Sequence, residues 1–199
     1  MGKEHWDERF SQQHYMYGKE PNAFIKEKGP LLDKGHVLAI AEGEGRNAVY
    51  LATLGHDVTA WDYSIEGLKK TEQLAKECKV NVKIECVDLT EAPWQEEEWD
   101  HVICVFGHFD PQLRSETLTQ IEKAVKKGGS FLCEVYSTAQ LEYQTGGPRN
   151  EAMLYRPEEF LTIFQNWDIQ HFFLGEVERE EGVLHKGKSH VIQFYGVKK

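Results

Sequence analysis

A short apolar run, His36-Val-Leu-Ala-Ile-Ala41, ends in Glu42-Gly-Glu-Gly-Arg-Asn47, and a second run, Val58-Thr-Ala-Trp-Asp62, ends in a lone acid. This pairing constrains the fold more than any other feature. A strand that stops in Gly-x-Gly and opens at once into a helix is the first half of a βαβ unit. Gly43 and Gly45 are expected where a ligand approaches the backbone and side chains would obstruct it. The free amides of the following helix suit a carboxylate or phosphate. Asp62, at the tip of the second strand, is placed to accept both hydroxyl hydrogens of a ribose, which implies an adenosine-containing ligand.

The turn alone does not choose the ligand. Gly43 to Ala48 also fits the G-x-G-x-x-G/A pattern of nicotinamide domains, with an acid about 20 residues on. Two further features favour another ligand. A third run, Val82-Lys-Ile-Glu-Cys-Val-Asp88-Leu89, again ends in an acid, here suited to an adenine amino group. Two strand-like runs, residues 167–178 and 189–197, follow one another across a glycine-containing turn, so an antiparallel hairpin is appended to the sheet.

Strands are predicted over residues 36–41, 57–62, 81–88, 101–106, 129–136, 167–179 and 188–197, and helices over 46–54, 65–78, 112–126 and 157–165. Gly55 closes the first helix, Ser64 caps the second, Asp110-Pro111 opens the third, Gly128-Gly129 ends it, and Pro157 opens the fourth. The expected fold is therefore α/β: a doubly wound, seven-stranded, mostly parallel sheet with a C-terminal antiparallel hairpin. Residues 1–30 read as a helical cap, with Trp6, Phe10, His14 and Tyr17 on one helical face and Gly18 as its stop. Residues 31–199 read as the single globular unit beneath it.

Taken together, Trp6-Asp-Glu-Arg9, Tyr17-Gly-Lys-Glu-Pro-Asn22, Glu42 to Asn47, Asp62, Asp88 and the final hairpin resemble the class I S-adenosylmethionine-dependent methyltransferases. The similarity is greatest to the small tellurite-resistance and thiopurine-type branch. The resemblance implies a cofactor site at Ala41, Gly43, Asn47, Asp62, Tyr63, Asp88, Leu89 and Phe106, with Gly45 completing the turn and Trp6 and Tyr17 covering it. The cofactor would be S-adenosylmethionine and the product S-adenosylhomocysteine. One departure stands out. The family's strand-end motif Asp-Leu-Gly-x-Gly reads Ala39-Ile-Ala-Glu-Gly43 here. The acid that helps fix the methionine amino group is missing, and Glu42 or an N-terminal residue is left to replace it.

Ligands of such sheets sit beyond the carboxyl ends of the strands, so the methyl acceptor should meet the segments after strands four and five. His108 is the candidate general base. Tyr136, Tyr143, Arg149 and Tyr155 are the candidate substrate residues; Glu134 shares a strand face with Tyr136 near the site, and His185 and His190 flank the last turn, where they could recognise substrate. The function expected is methyl transfer to a small molecule, possible soft nucleophiles being a thiol or a tellurium or selenium species. A nicotinamide oxidoreductase and a non-catalytic S-adenosylmethionine-binding module are the alternatives.

The net charge of −10 opposes a nucleic-acid surface, which needs clustered Lys and Arg. No run approaches the roughly 18 apolar residues of a membrane span. No metal site is expected, since no ligand spacing suits one. Cys78, Cys86, Cys104 and Cys133 form no C-x-x-C pair, and the three in predicted strands read as small core residues in a reducing cytoplasm.

Overall fold

The computed structural model describes residues 2–182 and 185–199, His185 by its backbone alone. Six helices and seven strands follow in the order α1 (Lys3–Phe10), α2 (Ala23–Lys28), β1 (His36–Ile40), α3 (Arg46–Thr53), β2 (Asp57–Asp62), α4 (Ile65–Cys78) and β3 (Val82–Cys86). Then come β4 (Trp99–Val105), α5 (Pro111–Ala124), β5 (Val125–Tyr136), α6 (Pro157–Ile163), β6 (Asp168–Glu181) and β7 (His185–Val197). The strands form one sheet in the order β3-β2-β1-β4-β5-β7-β6. The first five are parallel, and β7 runs antiparallel to both β5 and β6. The doubly wound sheet with its terminal hairpin is thus the architecture found.

The central strands are apolar on both faces because helices cover both. Along β1, Val37 and Ala39 join Leu51, Ala60, Ile103 and Leu132 on one side, whereas Leu38 and Ile40 join Trp61, Val102, Cys104 and Phe131 on the other. Phe24 and Ile25 of α2 are buried in the first of these clusters. The N-terminal region therefore supplies core as well as cover. Among the described residues no helix is long and apolar enough to cross a membrane.

Local chemistry sets the borders. The Ser64 hydroxyl accepts from the Gly67 amide, and the Asp110 carboxylate accepts from the amides of Gln112 and Leu113 ahead of Pro111. The Arg156 amide donates to Glu159 at the start of α6. Three expectations are corrected. The first helix does not run to Gly18 but ends at Phe10, because Glu44 accepts from the amides of Met16 and Tyr17 and draws the chain down. His14 is exposed as a result. The third helix stops at Ala124, and Gly128-Gly129 lies inside β5, where its register against β4 shifts between Trp99/Val125 and His101/Ser130. Cys104 and Cys133 are buried, but Cys86 is exposed because β3 is an edge strand.

Candidate active site

A cavity of about 300 Å³ opens at the carboxyl ends of the parallel strands, at the small end of the range for small-molecule sites. Its walls come from five places. Trp6, Phe10 and Tyr17 lie over it; Ala41 and Glu42 follow β1; Asp62 and Tyr63 end β2; Asp88 and Leu89 follow β3; Phe106 to Asp110 follow β4. Arg46 and Asn47 of α3, and Asn150, Ala152 and Met153 from the β5–α6 connection, complete it. Ten predicted residues therefore share one wall system: Trp6, Tyr17, Ala41, Asn47, Asp62, Tyr63, Asp88, Leu89, Phe106 and His108.

Gly43 and Gly45 are each pressed closely by another part of the chain. Both have positive φ, at 62° and 86°. A Cβ at Gly43 would stand 2.9 Å from the Phe10 ring, and one at Gly45 would stand 2.5 Å from the Thr71 methyl. The glycines let α1 and α4 close onto the turn.

The two acids of this turn divide the work. Glu44, buried, holds the cap: one oxygen accepts from Met16 and Tyr17, and the other pairs with Lys70 at 2.8 Å. Glu42, also buried, faces the cavity. Its Oε1 accepts from the amides of Asn47 at 2.9 Å and Ala48 at 2.8 Å, capping α3. Burial without an ion-pair partner pushes its pKa up to about 7.

Asp62 Oδ2 accepts from the Gly43 amide and Oδ1 from the Ser64 amide, each at 2.8 Å. Burial raises its pKa to about 6 despite these bonds. A carboxylate has about four lone-pair sites and the Tyr63 amide also acts on this one, so at least one site remains for a ligand hydroxyl. Asp88 Oδ1 accepts from the amide and hydroxyl of Thr90, leaving Oδ2 for an amino group. The donor and acceptor set thus suits an adenosine with a charged tail. The cap is anchored beside it, where Asp7 accepts from the Ser64 hydroxyl at 2.6 Å.

His108 stacks on Tyr136, ring centroids 5.5 Å apart, and has Phe106 at 6.5 Å. Its Nδ1 lies 3.0 Å from the Met153 carbonyl, which can only accept, so the proton resides there. Nε2 accepts from the Tyr136 amide at 3.4 Å. Desolvation holds the pKa down at about 4. With both nitrogens engaged and so low a pKa, this neutral ring is a poor general base, contrary to its sequence reading.

The four candidate substrate residues are not gathered at the cavity. Tyr136 is buried behind it, stacked on Phe106 at 4.6 Å. Tyr155 is buried beneath, its hydroxyl donating to the Gly107 carbonyl at 2.7 Å. Tyr143 donates to Glu176 at 2.7 Å on the hairpin surface, and Arg149 is exposed. Glu134 is buried in an ion pair with Arg179 at 2.8 Å. Arg46, which the sequence reading passed over, pairs with Glu181 at 2.6 Å, fastening the hairpin to the cavity wall. His190 bonds Ser137 at 2.7 Å, and the His185 side chain lies outside the described residues. Among those residues no metal-binding cluster occurs.

Residues 37–129 match the family described as methyltransferase domain. TehB of Haemophilus influenzae, described as a probable S-adenosylmethionine-dependent methyltransferase, is 24% identical over 153 residues, 75% of this chain and 50% of that protein. The chain spans about half the length of the curated relatives it matches. The crystal structure of TehB superposes with a TM-score of 0.73 at 17% identity, covering 99% of this chain and 67% of that one. A protein solved in connection with conversion of a disulfide bond into a thioacetal group during echinomycin biosynthesis gives 0.74 at 18% identity, covering 99% and 91%. Magnesium protoporphyrin IX methyltransferase of Synechocystis PCC 6803, solved with bound S-adenosylhomocysteine, gives 0.66 at 14% identity, covering 99% and 83%. In fold throughout, and in sequence over residues 37–129, this chain is similar to the class I S-adenosylmethionine-dependent methyltransferases, TehB among them.

Proposed function

We propose that this protein transfers the methyl group of S-adenosylmethionine to a small, soft nucleophile such as a thiol or a selenium or tellurium species. The observation that carries the reading is the contrast inside the cavity. Its Gly-turn side offers the buried acids Asp62 and Glu42 together with Asp88, whereas the side formed by Phe106, Phe109, Leu113 and Met153 is largely apolar, its polar members being neutral His108 and the exposed Asp110 and Asn150.

When bound, S-adenosylmethionine would supply an electrophilic methyl carbon, to which an acceptor lone pair would bond as the carbon–sulfur bond breaks and its electrons remain on sulfur. A hydroxyl or amine acceptor would have to shed a proton, but His108 is neutral with both nitrogens engaged, and Asp110, which also lines the cavity, is exposed and gives one oxygen to capping α5. A thiolate or a selenium or tellurium anion arrives deprotonated and needs no base. What the chain then contributes is position and dryness. Phe106 and His108 form a flat wall, and Trp6, Phe10 and Tyr17 exclude water from a step in which charge is dispersed. A cavity of about 300 Å³ with Trp6, Phe10 and Tyr17 over it favours a small acceptor. The likeness to a protein concerned with a disulfide-to-thioacetal conversion also directs attention to sulfur.

The test is formation of S-adenosylhomocysteine from S-adenosylmethionine with a panel of thiols, selenite, tellurite and small amines. Turnover is expected with the soft acceptors, its rate following the deprotonated fraction of each thiol. Turnover with amines alone would overturn the acceptor assignment, and binding without turnover on any acceptor would favour a binding module.

A further inference from the structure

The acid at the end of the first strand, expected in proteins of this kind, is replaced by Ala39. That side chain is fully buried in the apolar cluster of Leu51, Ala60 and Phe24, which offers no room for a charge. Three residues on, Glu42 is 9% exposed and lines the cavity. Only its Oε1 is used, by the α3 amides; Oε2 has no hydrogen-bond donor among the described residues. The nearest cation, Arg46, is directed to Glu181 and the Tyr17 carbonyl. A buried carboxylate without a counter-charge is costly, and one held open beside a ligand cavity calls for a cationic group of that ligand.

Building on the cofactor reading above, we infer that Glu42 receives the ammonium group of the cofactor's methionine moiety through Oε2, in place of the acid missing at Ala39. The α3 amides fix the carboxylate from one side and leave the other oxygen directed at the tail. Burial without a counter-charge raises the Glu42 pKa, and a cation bound at Oε2 would bring it back down. The other charged groups that act on it are Arg46 of α3 and Asp62 at the end of β2.

The test compares S-adenosylhomocysteine with 5′-methylthioadenosine, which keeps the adenosine and sulfur but lacks the amino-acid end, by calorimetric titration of the full chain and of Glu42→Gln. The glutamine keeps a carbonyl oxygen for the α3 amides. We expect S-adenosylhomocysteine to lose roughly 10- to 100-fold in affinity in the variant, and 5′-methylthioadenosine to change by less than about twofold. A second measurement needs no variant. Between pH 6 and 8 the unmodified protein should gain affinity for S-adenosylhomocysteine more steeply than for 5′-methylthioadenosine, because titration of Asp62 affects both ligands and that of Glu42 chiefly the first. Equal losses for both ligands in the variant would overturn the inference in favour of a helix cap alone, as would an unchanged affinity or matching pH slopes. Failure of the unmodified protein to bind either ligand would instead overturn the cofactor reading itself.

Discussion

The two halves of the cavity are built by different means. The half formed by the ends of β1, β2 and β3 is held by backbone amides: Gly43 and Ser64 on Asp62, Asn47 and Ala48 on Glu42. The other half is held by ring stacking and by a loop, with Phe106, His108 and Tyr136 in layers and Met153 clamping His108 from the β5–α6 connection. Amide-anchored acids at strand ends place charge at fixed points, as recognition of one invariant cofactor requires. An apolar wall of rings and loop residues can be reshaped without disturbing the sheet, as suits an acceptor that differs between relatives.

Perturbations of the first half should be the larger. Gly45→Ala forces a left-handed alanine against Thr71 and should cost about 3 kcal/mol, lowering the unfolding midpoint by roughly 6–12 °C. A midpoint within 2 °C of the parent's would mean that α4 does not pack as described. Asp62→Ala removes two amide acceptors and the ribose contact together. Its affinity for S-adenosylhomocysteine should fall by about 10- to 150-fold, and unchanged binding in calorimetry would refute the assignment.

In the ring-lined half, His108→Ala should leave cofactor affinity within about twofold and slow turnover by less than the 10² or more expected on losing a general base. A loss beyond a hundredfold, together with disappearance of a pH limb, would restore the base role. Tyr143→Phe removes only a surface bond to Glu176, so turnover and stability should be unchanged within error. A clear rise in KM would bring the hairpin surface into the acceptor site.

The halves also differ in sign towards pH. The folded pKa of Glu42, about 7, lies above its ordinary value of 4.5, so its contribution favours the fold below pH 4.5 and fades as pH rises to 7. His108 behaves oppositely. Its folded pKa of about 4 lies below 6.5, so its contribution is full above pH 6.5 and lost as pH falls towards 4. Chemical denaturation of the ligand-free protein should therefore show Glu42→Gln losing less stability than the parent between pH 5 and 7.5. Parallel profiles would show that Glu42 ionises normally.

This asymmetry also explains what could be read in the sequence. Asp62, Asp88 and Phe106 were legible because a parallel strand announces its own carboxyl end, and ligands of such sheets sit there. Tyr136 and Tyr155 were misplaced because strand alternation tells which residues share a face but not whether a neighbouring ring covers that face. Met153 and Asn150 come from a segment without periodicity, and only the tertiary fold returns it to the cavity. The helical spacing of Trp6, Phe10, His14 and Tyr17 suggested one long helix, but a tertiary contact, Glu44 on the Met16 and Tyr17 amides, overrides that local pattern. The glycines of the turn were recognised as necessary, yet the bodies that press on them, Phe10 and Thr71, lie 33 and 26 residues away in the chain.

The central claim is that the amide-anchored half holds an S-adenosyl ligand. It is tested most directly by thermal unfolding of the protein with S-adenosylmethionine, S-adenosylhomocysteine, NADH and NADPH in parallel. A ligand at about 100 times its dissociation constant adds roughly 2.7 kcal/mol, which should raise the midpoint by about 5–10 °C for a chain of this size. The account predicts that rise with the two S-adenosyl compounds and none with the nicotinamides. A rise with NADH or NADPH alone would contradict it.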